Sequence, residues 1–174
     1  MIVVVAGVAG SGKSTVGQLL AARLNWLFAD GDSFHPAANV AKMRAGLALT
    51  DLDRAPWLVA MTSWMDDVIA SGQSAVLASS ALKRRYRDEI LGDREQAELV
   101  FLNISRGQCE VRLGARTGHF FHKALLASQF EALELPVDEP RVHVIPVGDR
   151  SAGQVVADVI KLLELEPAGR PRAS

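Results

Sequence analysis

Cysteine is all but absent from these 174 residues. Cys109 stands alone, which excludes an internal disulfide and a multi-cysteine zinc site and suits a reducing compartment. Charge of one sign is missing as well: 19 Lys and Arg face 20 Asp and Glu, for a formal net charge of −1. With no global basic field and aromatics at only 6%, the chain lacks both the electrostatic footprint and the stacking surface of a nucleic-acid partner. Basic residues do gather locally, at Lys83–Arg87 and along Arg106–Arg116, and for Arg84 and Arg85 a solvated helix face is the better account. Long hydrophobic runs are lacking too. The opening run Ile2–Ala6 is too short for a membrane span or a signal peptide and has no basic start, so the expectation is a cytoplasmic protein with no membrane partner. Neither a repeat nor a linker interrupts the chain, and its length fits one domain with a proper core.

What is present centres on Gly7-Val8-Ala9-Gly10-Ser11-Gly12-Lys13-Ser14, a full G-x-x-x-x-G-K-S match. It lies between a β-branched run and a helical pattern, the strand–loop–helix context that a phosphate-cradling loop requires. Glycines let consecutive backbone N–H groups turn inward around a polyphosphate, and the following helix points its positive end at the same charge. Lys13 then reaches the β and γ phosphates and the Ser14 hydroxyl ligates Mg²⁺. A bare glycine turn has no need of Lys and Ser at those offsets, so the loop implies binding of a nucleoside triphosphate.

Five short apolar runs read as strands, at 2–6, 26–29, 75–78, 99–102 and 141–145. Helical patterns alternate with them at 13–24, 34–46, 55–69, 82–91, 106–115, 123–133 and 152–163. The Trp57, Met61, Trp64, Met65 and Val68 stripe is the inner face of one of these helices, to be read as core. The alternation predicts an α/β fold with a five-stranded, mostly parallel sheet flanked by helices over 1–165, and a disordered tail at 166–174. In such sheets ligands sit outside the carboxyl ends of the strands. The phosphate loop, Asp30-Gly31-Asp32 and Ser79-Ser80 all fall at such ends.

A bound triphosphate that is to donate a phosphoryl group needs a positioned acceptor, Mg²⁺ and cationic cover. Asp30 and Asp32 flank a glycine turn, so one carboxylate can serve the Mg²⁺ water shell and the other an acceptor hydroxyl. Arg112 and Arg116 are spaced i,i+4 and share a helix face leading into Gly118, where arginines on a flap can close over the phosphates.

Together with the phosphate loop, several blocks resemble the gluconokinases of the small P-loop type. These are Asp30-Gly31-Asp32-Ser33-Phe34-His35-Pro36, Asp53-Arg54-x-Pro56-Trp57-Leu58, Ala81-Leu82-Lys83-x-x-Tyr86-Arg87-Asp88, Gly118-His119-Phe120-Phe121 and Ser128-Gln129-Phe130-Glu131. The similarity runs from Ile2 to about Leu163. It implies ATP-dependent phosphorylation of D-gluconate to 6-phosphogluconate, a nucleoside-monophosphate-kinase-type fold, a substrate-binding region near 34–58 and a lid near 114–122. These kinases are commonly dimers, so a homodimer is implied as well.

By position, the resemblance gives Lys13, Asp32 and Arg116 catalytic roles, with Asp32 against the acceptor hydroxyl. Gly7, Val8, Ala9, Gly10, Ser11, Gly12, Lys13, Ser14 and Thr15 would cradle the nucleotide, with Arg112 near adenine or the phosphates, and Ser14 and Asp30 on the metal side. Around the sugar acid stand Asp32, His35, Arg54, Lys83, Arg87 and His119; His35 is either a substrate contact or a helix-start residue. Departures from the family pattern are Asp51-Leu52-Asp53 in place of three acids, Ser79 in place of a cysteine, and Pro146-Val147-Gly148 in the loop expected to border adenine. The alternatives are a kinase of another hydroxy acid such as shikimate, and a non-catalytic nucleotide-binding module. Shikimate kinases usually carry a Gly-Gly-Gly segment where this chain has Ser79-Ser80-Ala81-Leu82-Lys83.

Overall fold

A central strand of five consecutive aliphatic residues, β1 (Ile2–Ala6), is buried throughout. It pairs in parallel with β3 (Ala75–Ser79) on one side and β4 (Ala97–Asn103) on the other, and β2 (Leu27–Asp30) and β5 (Val142–Pro146) close the edges. The order β2-β3-β1-β4-β5 is parallel at every pairing, and the fold class matches the expectation. This computed structural model describes residues 1–115 and 123–167 (the side chains of 123 and 124 aside), so most of the 114–122 segment and of the 166–174 tail lies outside the described residues.

Helices flank the sheet. α1 (Lys13–Leu24) packs on β3 and on α7 (Ala152–Leu162), whereas α3 (Asp51–Ala70) packs on α4 (Arg84–Leu91). The Trp/Met stripe of α3 is core: Trp57, Met61 and Met65 are fully buried, each worth about 1.5–3 kcal/mol of apolar transfer. Among the described residues no helix is long and apolar enough to cross a membrane.

Three helix starts differ from the sequence reading, the smallest difference being that of α4, which begins at Arg84 after Lys83 as N-cap rather than at 82. The 34–46 pattern divides into a 3-10 turn (Gly31–Phe34) and α2 (Ala37–Arg44). His35 between them is extended (φ −67°, ψ 131°), because the ring of Pro36 disfavours a helical residue before it. α3 begins at Asp51 rather than 55, because Thr50 and Asp53 form a capping box that outweighs the preference of Pro56 for a first turn. That earlier start puts Asp53 and Arg54 on the helix. α5 (Arg106–Gly114) is capped by Ser105, and α6 (Lys123–Glu131) follows the segment outside the described residues.

Candidate active site

Gly7 leaves β1 with φ 144°, and a Cβ there would lie 2.9 Å from the Leu102 carbonyl and from Ser11 Oγ. Only glycine lets the loop turn so tightly against β4. Gly12 is the N-cap of α1 and brings no side chain, so the first amides of the helix end at the loop. Lys13 Nζ donates to the Val8 carbonyl at 3.0 Å, folded back along the loop it follows. Ser14 Oγ donates to Asp30 Oδ2 at 2.7 Å, joining the two residues expected on the metal side.

The phosphate loop is a partition between two cavities. One, of about 340 Å³, is lined by Gly10, Ser11, Gly12 and Thr15 together with Arg112 and Val147. Arg112 donates to the Gly148 carbonyl at 2.9 Å, which brings it to the loop expected near adenine. Cys109 is buried behind Gly10, and burial pushes its thiol pKa up, as for an inert core residue. The other cavity, of about 460 Å³, has Ala9 and Lys13 on the loop side and Asp32, His35 and Arg54 opposite.

The far wall is held by side chains. Gly31 has no room for a Cβ, which would meet the Ala78 carbonyl at 2.6 Å, and its own carbonyl accepts from Trp57 Nε1 at 2.7 Å. Asp30 Oδ1 accepts from the Asp32 amide and so shapes the turn that presents Asp32. The His35 ring stacks on Trp57 (4.7 Å, 10°), and burial lowers its pKa, with Asp32 opposing that shift and Arg54 adding to it. Arg54 lies over the Tyr86 ring at 5.7 Å. Lys42 pairs with Asp53 at 2.7 Å, and with Thr50 it holds the Asp53 carboxyl down at about 2.

Lys83 lines a small adjoining cavity that shares Arg54, Ser128 and Gln129 with the larger one. It bonds Asp51 at 3.1 Å, and the same carboxylate pairs with Arg85 and accepts from Tyr86, which holds its pKa well below the usual range. Arg85 is therefore tied to α3 rather than simply solvated.

Arg87 is a correction. Expected beside the sugar acid, it is fully buried and committed elsewhere: Nε and Nη2 donate to Glu139 at 2.7 and 2.6 Å, and Nη1 donates to the carbonyls of Ala81 and Leu82. A guanidinium with four of its five N–H donors committed to a carboxylate and two carbonyls, and with no exposed surface, pins the segment after β3 and is not presented to a ligand. Arg116 and His119 lie outside the described residues.

Gln129 was not among the residues singled out, although it stands in one of the family-like blocks. Its Oε1 accepts from the Ala9 amide at 2.6 Å, and it lines both the larger cavity and the small one adjoining it. No sequence spacing connects positions 120 apart, so only the block itself could have pointed to it.

Comparison with known proteins agrees with this geometry. A family model described as shikimate kinase matches residues 9–164. The gluconokinase of Gluconobacter oxydans (strain 621H) is 44% identical over 164 residues, covering 94% of this chain and 91% of that protein. An unliganded sugar kinase from Janibacter sp. HTCC2649 superposes with a TM-score of 0.89 at 35% identity, covering 96% of both chains. A gluconokinase from Sinorhizobium meliloti 1021 gives 0.78 at 36% identity, covering 93% of this chain and 94% of that one. Similarity of this extent, on a five-stranded parallel sheet carrying an intact phosphate loop, makes the chain a P-loop kinase of the shikimate kinase type that belongs, within it, to the gluconokinase family.

Proposed function

We propose that this kinase moves the terminal phosphoryl group of ATP to the 6-hydroxyl of D-gluconate, giving 6-phospho-D-gluconate. The observation that carries the reading is the shared wall: loop residues 10–12 line one cavity, Ala9 and Lys13 line the other, and Asp32 faces the second. A triphosphate lying along the loop would end where an acceptor in the larger cavity begins. Asp32 would accept the hydroxyl proton, and Lys13 would offset the charge that develops on the migrating group. Arg54 supplies a cation for the carboxylate of the acid, while Asp32 and His35 address its hydroxyls.

Mg²⁺ fits the residues present, since a hydroxyl and a carboxylate already in contact, Ser14 and Asp30, are the hard oxygen donors it takes. When bound, it would neutralise charge on the β and γ phosphates. Among the described residues no cluster of three His, Cys, Asp or Glu side chains offers a metal a full protein cage, which suits an ion shared with phosphates and water. The reading includes one kinase domain over 1–165, a substrate region near 34–58 and a lid near 114–122 bearing Arg116 and His119. It also includes a cytoplasmic location, in keeping with the single cysteine, and a homodimer, in keeping with the resemblance to gluconokinases.

The match to a shikimate kinase family model favours shikimate as the second reading. A coupled assay with ATP and Mg²⁺ over gluconate, shikimate, other aldonates and nucleoside monophosphates separates the two. Turnover with gluconate at least tenfold above shikimate is expected, and the reverse order would replace the proposal.

A further inference from the structure

We propose that Asn39 fixes His35 as the Nε2–H tautomer, so that His35 serves the acceptor cavity as a neutral hydrogen-bond donor and Asn39 acts as its positioning residue. The role for His35 rests on the gluconate kinase reading above; the tautomer does not.

The assignment follows from donor and acceptor chemistry. Asn39 lies on α2 and is buried, at 3% exposure. Its Nδ2 donates to the Asp53 carbonyl at 2.7 Å, and a carbonyl oxygen can only accept, so this edge of the amide is the NH₂. The second hydrogen of that NH₂ has His35 Nδ1 before it at 3.3 Å. Nδ1 is therefore the bare nitrogen, and in a neutral imidazole the proton then sits on Nε2. An imidazolium would set an N–H of its own against the amide's N–H, and with Asn39 held by Asp53 the amide cannot turn to receive it.

The surroundings agree. Trp57 stacks on one face of the ring and its Nε1 is tied to the Gly31 carbonyl, so one buried side chain registers both His35 and the residue before Asp32. Asp32 on the 3-10 turn favours a charged ring and Arg54 on α3 opposes it, while Arg44 on α2 and Lys13 add further cations to the same cavity. Asp53 directs its carboxylate to Lys42 and Thr50. Burial, the largest influence, also favours the neutral ring. The cavity thus sets a carboxylate that accepts, Asp32, beside a ring that donates without charge, His35, a pairing suited to a polyol whose hydroxyls do both.

The test is a long-range proton–nitrogen correlation spectrum of the ¹⁵N-labelled full-length protein at pH 7 without ligand, with His35 assigned from the spectrum of His35→Gln. A protonated Nε2 and bare Nδ1 are expected; an Nδ1–H ring or an imidazolium would overturn the proposal, whatever the substrate proves to be. Asn39→Asp replaces the donor by an acceptor. It is expected to move the His35 proton to Nδ1, raise its titration midpoint, and raise KM for gluconate about tenfold with KM for ATP within twofold. An Asn39→Asp protein that folds and keeps the Nε2–H ring would equally defeat it, and the wild-type spectrum decides the matter should that variant not fold.

Discussion

The two cavities beside the phosphate loop are built by different means. On the side proposed for the nucleotide, the phosphate loop contributes main chain, a glycine turn and the amino end of α1, beside Arg112, which the Gly148 carbonyl orients. On the side proposed for the acceptor, side chains form much of the wall, and several are held by other side chains behind them. Trp57 holds Gly31 and stacks on His35, Asn39 holds His35, and Lys42 with Thr50 holds Asp53. A backbone cradle recognises what all triphosphates share and tolerates change in most side chains around it. A side-chain wall can be retuned for one acid or another by a few substitutions, and it is correspondingly open to damage at positions that never touch the ligand.

The sharpest contrast should come from Lys13→Ala. Lys13 is the side chain of the loop that faces the acceptor cavity, and its loss should lower kcat by on the order of 10³-fold. Gluconate affinity, measured by calorimetry with a non-hydrolysable ATP analogue, should hold within a few-fold. Asp32→Asn should lower kcat by roughly 10²-fold with KM for ATP unchanged. If either variant weakened both ligands equally, the two walls would not be independent.

Next in size is Arg87→Ala, which separates framework from recognition. Removing one partner of a buried, hydrogen-bonded ion pair costs about 3–5 kcal/mol, seen as a lower denaturation midpoint at constant denaturant slope. KM for gluconate in the fraction that remains folded at low temperature should be near wild type. A selective rise in that KM with full stability would return Arg87 to the acceptor site.

These contrasts explain which parts of the molecule could be read from one dimension. The phosphate loop and Asp30-Gly31-Asp32 were legible because backbone geometry demands glycine at fixed offsets, as at Gly7 and Gly31. The inner strands β1, β3 and β4 were legible because burial on both faces needs unbroken apolar runs. Arg54 and Arg87 look alike in sequence, each a cation in a polar block. Only the fold sets Glu139 beside Arg87, 52 residues away, and Tyr86 beneath Arg54. The early start of α3 was hidden by Pro56, whose missing N–H costs one bond that the capping box at Thr50 and Asp53 offsets. Arg116 and His119 lie outside the described residues.

The smallest effect concerns pH, and it acts on one wall only. Lys42 and Thr50 lower the Asp53 carboxyl to about 2 in the folded protein, and Arg85, Tyr86 and Lys83 likewise hold Asp51 below the ordinary carboxylate range. A carboxyl lowered on folding contributes stability that is complete above its unfolded value and fades as pH falls through the folded one. Both groups lie in the first turn of α3, so acid should loosen that end of the acceptor wall, while the glycine turn and the α1 amides hold no comparable charge. Hydrogen exchange between pH 5 and 2.5, corrected for the intrinsic rate, should show protection falling a few-fold more at the start of α3 than in α1. Asp53→Asn should remove much of that difference by lowering protection at neutral pH, because the amide cannot pair with Lys42. Equal acid sensitivity in the two helices would mean that the acceptor wall draws no measurable support from its ion pairs, and that packing on Trp57 alone keeps it in place.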